Sequence, residues 1–141
     1  MINLVLVSDL ETAFLRVLAL AVGRSDAHYL EAVLCDYASL HNRLLYECRD
    51  NERLGIVGIE HITSDDARIL HIAVAASSQR SGLGRKMIDA LVDDLGYRNL
   101  HAETDADAIG FYRALGFEIE SLGEQYPGVE RFACTLRARR T

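Results

Sequence analysis

Between an apolar, β-prone run (residues 69–74) and an amphipathic helical pattern (residues 82–95) lies the hexad Gln79-Arg80-Ser81-Gly82-Leu83-Gly84. A strand that feeds a glycine-bearing turn at a helix start makes an anion site. The first-turn N–H groups have no partner inside the helix, and the helix dipole places partial positive charge there. Arg80, Arg85 and Lys86 add full charges around the same turn. The chemistry implied is capture of a phosphate-bearing ligand, and the type of ligand is narrowed by what the turn lacks. The third glycine of a dinucleotide fingerprint falls on Met87, and no Walker-type G-x-x-x-x-G-K-[ST] is present. A second chemistry-bearing segment, Phe111-Tyr112-Arg113-Ala114-Leu115-Gly116-Phe117, closes a helical pattern into a strand and carries a tyrosine hydroxyl.

The elements that must position these groups can be read in order. Residues 2–7 form a strand pattern. Phe14, Leu15, Leu18 and Val22 recur at helical spacing up to Gly23, and Tyr29, Leu30, Val33, Leu34 and Tyr37 make a second helical stripe. Tyr29 and Tyr37 read as core packing or as the wall of a cleft. Residues 43–49 and 53–62 are strand patterns around an Asp50-Asn51-Glu52 turn, an antiparallel hairpin. Gly55 and Gly58 inside it mark a bulge or a close backbone approach. A turn at 63–66 leads to a strand at 67–74, and the helix at 82–95 follows and stops at Gly96. A strand at 98–103 then precedes a helix capped by Asp105 or Asp107, which runs through Leu115. A strand at 117–122, a loop holding Gly123, Tyr126, Pro127 and Gly128, and a strand at 130–137 complete the chain. The order is β-α-α-β-β-β-α-β-α-β-β in one domain over residues 1–141, an α/β chain with a mixed α+β sheet.

Composition bounds the function. Half of the 141 residues are hydrophobic and about a quarter are charged, the profile of an ordinary globular domain. A net charge of −6 argues against a basic nucleic-acid surface, and would suit a cationic substrate. Cys35, Cys48 and Cys134 are too irregularly spaced for a disulfide framework or a zinc site, so packing is the role expected of each and no metal is expected. The N-terminus lacks a basic region and a small-residue cleavage site, and the apolar run at 14–22 falls short of a membrane span. The expectation is a cytoplasmic protein without membrane or nucleic-acid partners.

At this spacing the Gln79–Gly84 hexad and the Tyr112…Gly116-Phe117 segment resemble the GCN5-related N-acetyltransferase (GNAT) superfamily, as does the order of elements. The resemblance covers nearly the whole chain and is most specific over residues 69–117. It implies the GNAT acyl-CoA N-acyltransferase fold and acetyl-CoA as co-substrate. It places Gln79, Arg80, Ser81, Gly82, Leu83, Gly84 and Arg85 around the coenzyme's pyrophosphate, held mainly by main-chain N–H groups. It places Ile72, Ala73 and Val74 on the strand whose backbone pairs with the pantetheine amides. Tyr112 falls where the family has a tyrosine cast as general acid to the departing thiolate. Two positions depart from the family pattern. Ala76 stands where many members have Pro, and Asp105 stands where many have Asn. Asp105 can accept a hydrogen bond from a pantetheine amide but cannot donate as an amide does.

The reaction implied is direct acetyl transfer, in a ternary complex, to a primary amine of a small molecule or peptide. An alkyl ammonium must first lose a proton, so a base is needed. Glu60, His61, His71 and Glu103 on the central strands are the candidates, with Glu60 and His71 foremost; His71 equally reads as a packed strand residue. The alternative is a non-catalytic acyl-CoA sensor that keeps the loop and lacks the base. A homodimer is admitted by either reading.

Overall fold

The computed structural model describes residues 4–7, 27–50, 53–75 and 82–138. The apolar stripe at 14–22, and with it the first expected helix, lies outside the described residues, as do Gln79, Arg80 and Ser81. The described elements are β1 (Leu4–Leu6), α1 (Ala27–Ser39), β2 (Arg43–Asp50), β3 (Arg53–His61), β4 (Asp66–Val74), α2 (Leu83–Asp93), β5 (Asn99–Asp105), α3 (Ile109–Ala114), β6 (Glu118–Tyr126) and β7 (Val129–Arg137).

They build one seven-stranded sheet in the order β1-β2-β3-β4-β5-β7-β6. Short connections join β2 to β3 and β3 to β4 in sequence, and these neighbours pair antiparallel. β4 and β5 pair parallel, which demands a crossover, and α2 supplies it. Each face of the sheet is covered by helix. On one face Leu83, Met87, Ile88 and Leu91 of α2 pack with Val57, Ile59, Ile69, Leu100 and Cys134 of the strands. On the other, Leu30 of α1 packs with Leu45 and Ile56. α2 earns this position by periodicity, since its buried residues recur at helical spacing on a single side.

One irregularity in β4 decides what each face presents. Gly58 of β3 pairs with His71, but the next residue, Ile59, pairs with Ile69, so Leu70 is the extra residue of a β-bulge. A bulge inverts the strand's alternation. Ala67 and Ile69 before it, and Ile72 and Val74 after it, all pack toward α2, while Ala73 joins the α1 side.

Several sequence expectations are corrected. Asp50 belongs to β2 rather than to the turn. β6 runs on to Tyr126, so that tyrosine ends a strand and is 66% exposed rather than lying in a loop over the core. Asp105 ends β5 instead of capping a helix, and α3 is short because the chain makes a turn at 106–108 first. Cys48 and Cys134 are buried as expected, but Cys35, on α1, is exposed.

Candidate active site

The strand pairing opens a gap in the sheet. β4 and β5 pair from Asp66 with Asn99 through Ile69 with Ala102 and no further, although β4 continues to Val74 and β5 to Asp105. The bulge at Leu70 sits at the point of divergence. On its far side β4 still pairs with β3, through Ala73 with Ile56 and Val74 with Gly55, so the opening strand is held rigidly from behind. The other wall is held by β7, which pairs with β5 along its whole length, from Asn99 with Arg137 to Asp105 with Arg131. Ile72, Ala73 and Val74 therefore lie along one lip of the gap, beyond the last pair of β4 with β5.

Beyond that lip stands the start of α2. Gly82 is its N-cap, at φ 79 and ψ 8, with no side-chain hydrogen bond to the helix start. The first intrahelical bond runs from the Lys86 N–H to the Gly82 carbonyl, which leaves the N–H groups of Leu83, Gly84 and Arg85 outside the helix ladder. A Cβ at Gly82 would meet nothing within 4 Å, so the space over this helix start is open, and glycine is required by the left-handed backbone alone. These are the features an anion asks for.

The glycine at 84 has a different reason from the one its motif suggests. A Cβ there would come within 2.9 Å of the Phe111 ring, so its absence lets α3 pack against α2. Leu83 is 1% exposed and belongs to the core, so only its main chain can serve a ligand. The two described basic side chains of this turn, Arg85 and Lys86, are engaged elsewhere. Arg85 donates from Nη2 to the Ala114 carbonyl at 3.0 Å, at the C-terminal end of α3, and Lys86 Nζ pairs with Asp50 at 2.9 Å.

Tyr112 is buried in α3 between the edges of Phe111 and Phe117, each ring centroid 5.1 Å away in a T-shaped contact. Burial, aided by neighbouring Cys134, pushes its hydroxyl up to about 12, so it keeps its proton at neutral pH and can act as donor or acid. The folded chain then holds this proton between pH 10 and 12 where the unfolded chain loses it. Fewer protons bound in the unfolded state make stability fall as pH rises through that window, which an alkaline titration of thermal stability would show. Asp105 Oδ1 accepts from the N–H groups of Asp107 and Ala108 at 3.0 and 3.2 Å, so it organises the turn before α3.

The base candidates separate cleanly. Glu60 lies beside the closed part of the sheet, where its cross-strand partner Arg68 holds it at 3.8 Å, and the structure does not bring it to the gap. His61 is bonded through Nδ1 to the Tyr97 hydroxyl at 2.6 Å, and His101 faces Asp66 at 3.4 Å. Glu103 is the first β5 residue beyond the last pair with β4, and it is exposed. His71 is the β4 residue just past the bulge, half-buried, with Nδ1 2.5 Å from the Tyr37 hydroxyl. Tyr37 was legible as a packing residue or the wall of a cleft, not as a partner of His71. The signal that pointed to it was Gly58, where a Cβ would stand 1.9 Å from that hydroxyl. Gly58→Ala should therefore displace Tyr37 and cost about 1–3 kcal/mol, read as a lower melting temperature.

The seven-stranded mixed sheet thus parts between β4 and β5, with a helix start behind the gap. Residues 41–119 match the family model described as acetyltransferase (GNAT) domain, and the chain belongs to this family. The [ribosomal protein bS18]-alanine N-acetyltransferase of Escherichia coli K12 is 32% identical over 89 residues, which is 59% of this chain and 60% of that protein. The chain thus spans about three-fifths of the length of this relative. Among solved structures, a GNAT-family acetyltransferase from Desulfovibrio desulfuricans superposes with a TM-score of 0.74 at 22% identity, over 97% of this chain and 99% of that one. One from Elizabethkingia anophelis, with acetyl-CoA bound, gives 0.67 at 18% identity, over 97% of both chains. Among the described residues, no helix is long and apolar enough to cross a membrane.

Proposed function

We propose that this protein transfers the acetyl group of acetyl-CoA directly to a primary amine of a small molecule or peptide. The observation that carries this reading is the parting of β4 from β5 at Ile69 and Ala102, which sets Ile72–Val74 as a template edge leading to the start of α2. The pantetheine arm lies along that edge as an added strand, and its pyrophosphate sits over Gly82 and the N–H groups of Leu83 and Gly84. Gln79, Arg80 and Ser81 complete the loop. The thioester is then presented at the bulge, between His71 and Glu103.

The amine loses a proton to Glu103, directly or through a water, because that carboxylate stands on the lip and Glu60 is tied to Arg68. The nitrogen lone pair forms the C–N bond and the carbonyl π pair moves to oxygen, where main-chain N–H groups of β4 receive it. As the C=O re-forms, the C–S bond breaks and the thiolate takes the Tyr112 proton, while the acylated nitrogen, which still carries one excess proton, returns a proton to the Tyr112 oxygen through water. The three cysteines play no part: Cys48 and Cys134 are buried in the core, and Cys35 lies on α1.

Release of free thiol from acetyl-CoA in the presence of a panel of amines, polyamines, aminoglycosides and N-terminal peptides tests the reading. An alanine-initiated peptide belongs in the panel because the E. coli relative is named for that acceptor. Acetyl-CoA binding without thiol release for any acceptor would mean a sensor rather than an enzyme.

A further inference from the structure

Tyr37 and His71 are 34 residues apart in sequence and meet at the mouth of the gap, where the geometry asks for more than packing. The tyrosine reaches across β3 from α1, and it can do so only because position 58 has no Cβ. Its ring stands edge-on to the imidazole, with centroids 5.7 Å apart. Besides Tyr37, Arg43 of β2 acts on the histidine, while β3 presents Gly58 at the paired position.

The direction of the Tyr37–His71 bond follows from satisfaction of the buried hydroxyl. Burial pushes the Tyr37 hydroxyl well above its ordinary value, so it carries a proton at any physiological pH. A buried O–H must find an acceptor, and Nδ1 of His71 is the one the structure provides. Burial first, and then the Arg43 guanidinium, lower His71 below its usual range, so the ring is neutral. A neutral imidazole that accepts at Nδ1 carries its proton at Nε2. In this tautomer the ring cannot take a proton from the amine, and the base role expected from its residue type gives way to that of a donor.

We propose that His71 is a neutral hydrogen-bond donor to the acyl group, its Nε2–H serving the thioester carbonyl oxygen beside the main-chain donors of β4, and that Tyr37 is the positioning residue that fixes this tautomer. No proton is transferred at His71. When the amine attacks, the carbonyl π pair localises on oxygen and the Nε2–H bond to it shortens; when C=O re-forms and C–S breaks, the bond relaxes. The proposal rests on the acetyl-transfer reading for its location, and its first test does not require turnover.

Nitrogen-15 spectra of the folded full chain should show a protonated Nε2 and a bare Nδ1 for His71 from pH 7 to 9. Addition of the acetonyl thioether of coenzyme A, a ketone in place of the thioester, should move the Nε2 resonance, and coenzyme A without an acyl group should leave it in place. A bare Nε2, or equal shifts with both ligands, would overturn the assignment. In the turnover assay with the best acceptor of the amine panel, His71→Leu should lower kcat roughly 100-fold, the usual effect of deleting one such donor, with KM for acetyl-CoA within about threefold. His71→Gln, whose amide can both donate and accept, should recover most of that loss with the acid limb of kcat unmoved. Tyr37→Phe should lower kcat several-fold and mix the tautomers. If Gln proves as inactive as Leu and the acid limb disappears, His71 is a base and the donor role is wrong. Should no acceptor be found at all, the acetyl-transfer reading fails while the paired titrations still decide the state of His71.

Discussion

Gly82→Trp is expected to abolish useful acetyl-CoA binding while leaving the fold intact. The indole would fill the open space above the start of α2, where a Cβ at position 82 meets nothing within 4 Å. Two main-chain hydrogen bonds to a phosphate, each worth about 1.5 kcal/mol or more, would be lost together. That corresponds to a rise in Kd of roughly 100-fold or more, measured by calorimetric titration. Gly82→Ala separates the two consequences of substitution. It imposes the left-handed strain, about 1–2 kcal/mol on stability, but adds only a methyl group over the helix start. Alanine should thus lower the melting temperature and spare most of the affinity. Retention of wild-type affinity by the tryptophan variant would remove this turn from cofactor binding.

The second large effect is on chemistry. Tyr112→Phe should lower kcat about 100-fold, the low end of what one positioned acid contributes, with the Kd for acetyl-CoA within about threefold. Phenylalanine keeps the T-shaped contacts with Phe111 and Phe117, so the core should hold and the loss can be assigned to the hydroxyl. Since the hydroxyl is held up to about 12, it should impose no alkaline limb on kcat below about pH 11. An unchanged kcat would place the departing thiolate's proton elsewhere. The pair of substitutions distinguishes the two ends of the coenzyme: position 82 acts on binding and position 112 on turnover.

The order of elements after residue 27 was legible because it depends on short-range rules. Apolar spacing marks α2, Gly96 at positive φ follows its end, and turn residues separate β2, β3 and β4. The same rules misjudged boundaries where neighbours in space decide them. β6 continues through Ser121 to Tyr126 because β7 pairs with it there, despite register shifts around Gly123. α3 starts at Ile109 because the chain first makes a turn at 106–108, tied by the Asp105 carboxylate to the N–H groups of Asp107 and Ala108.

The site divides in the same way. Residue types and spacing marked the glycine turn at 82 as an anion site, a local motif with a local physical reason, while the roles of the tyrosine at 112 and of the strand edge at 72–74 came only with the resemblance to the GNAT family. Only the tertiary structure decided what surrounds them. The bulge at Leu70 depends on the register with β3, and it turns His71 toward α1 and lets β4 leave β5. Arg85 ends at Ala114, Gly84 makes room for Phe111, Glu60 is tied to Arg68, and Tyr37 meets His71 over Gly58. Charge type cannot reveal such partners in advance, because a side chain's role is set by which groups desolvate it and accept its protons. Those groups arrive from strands and helices tens of residues away, and their placement is a property of the packed sheet.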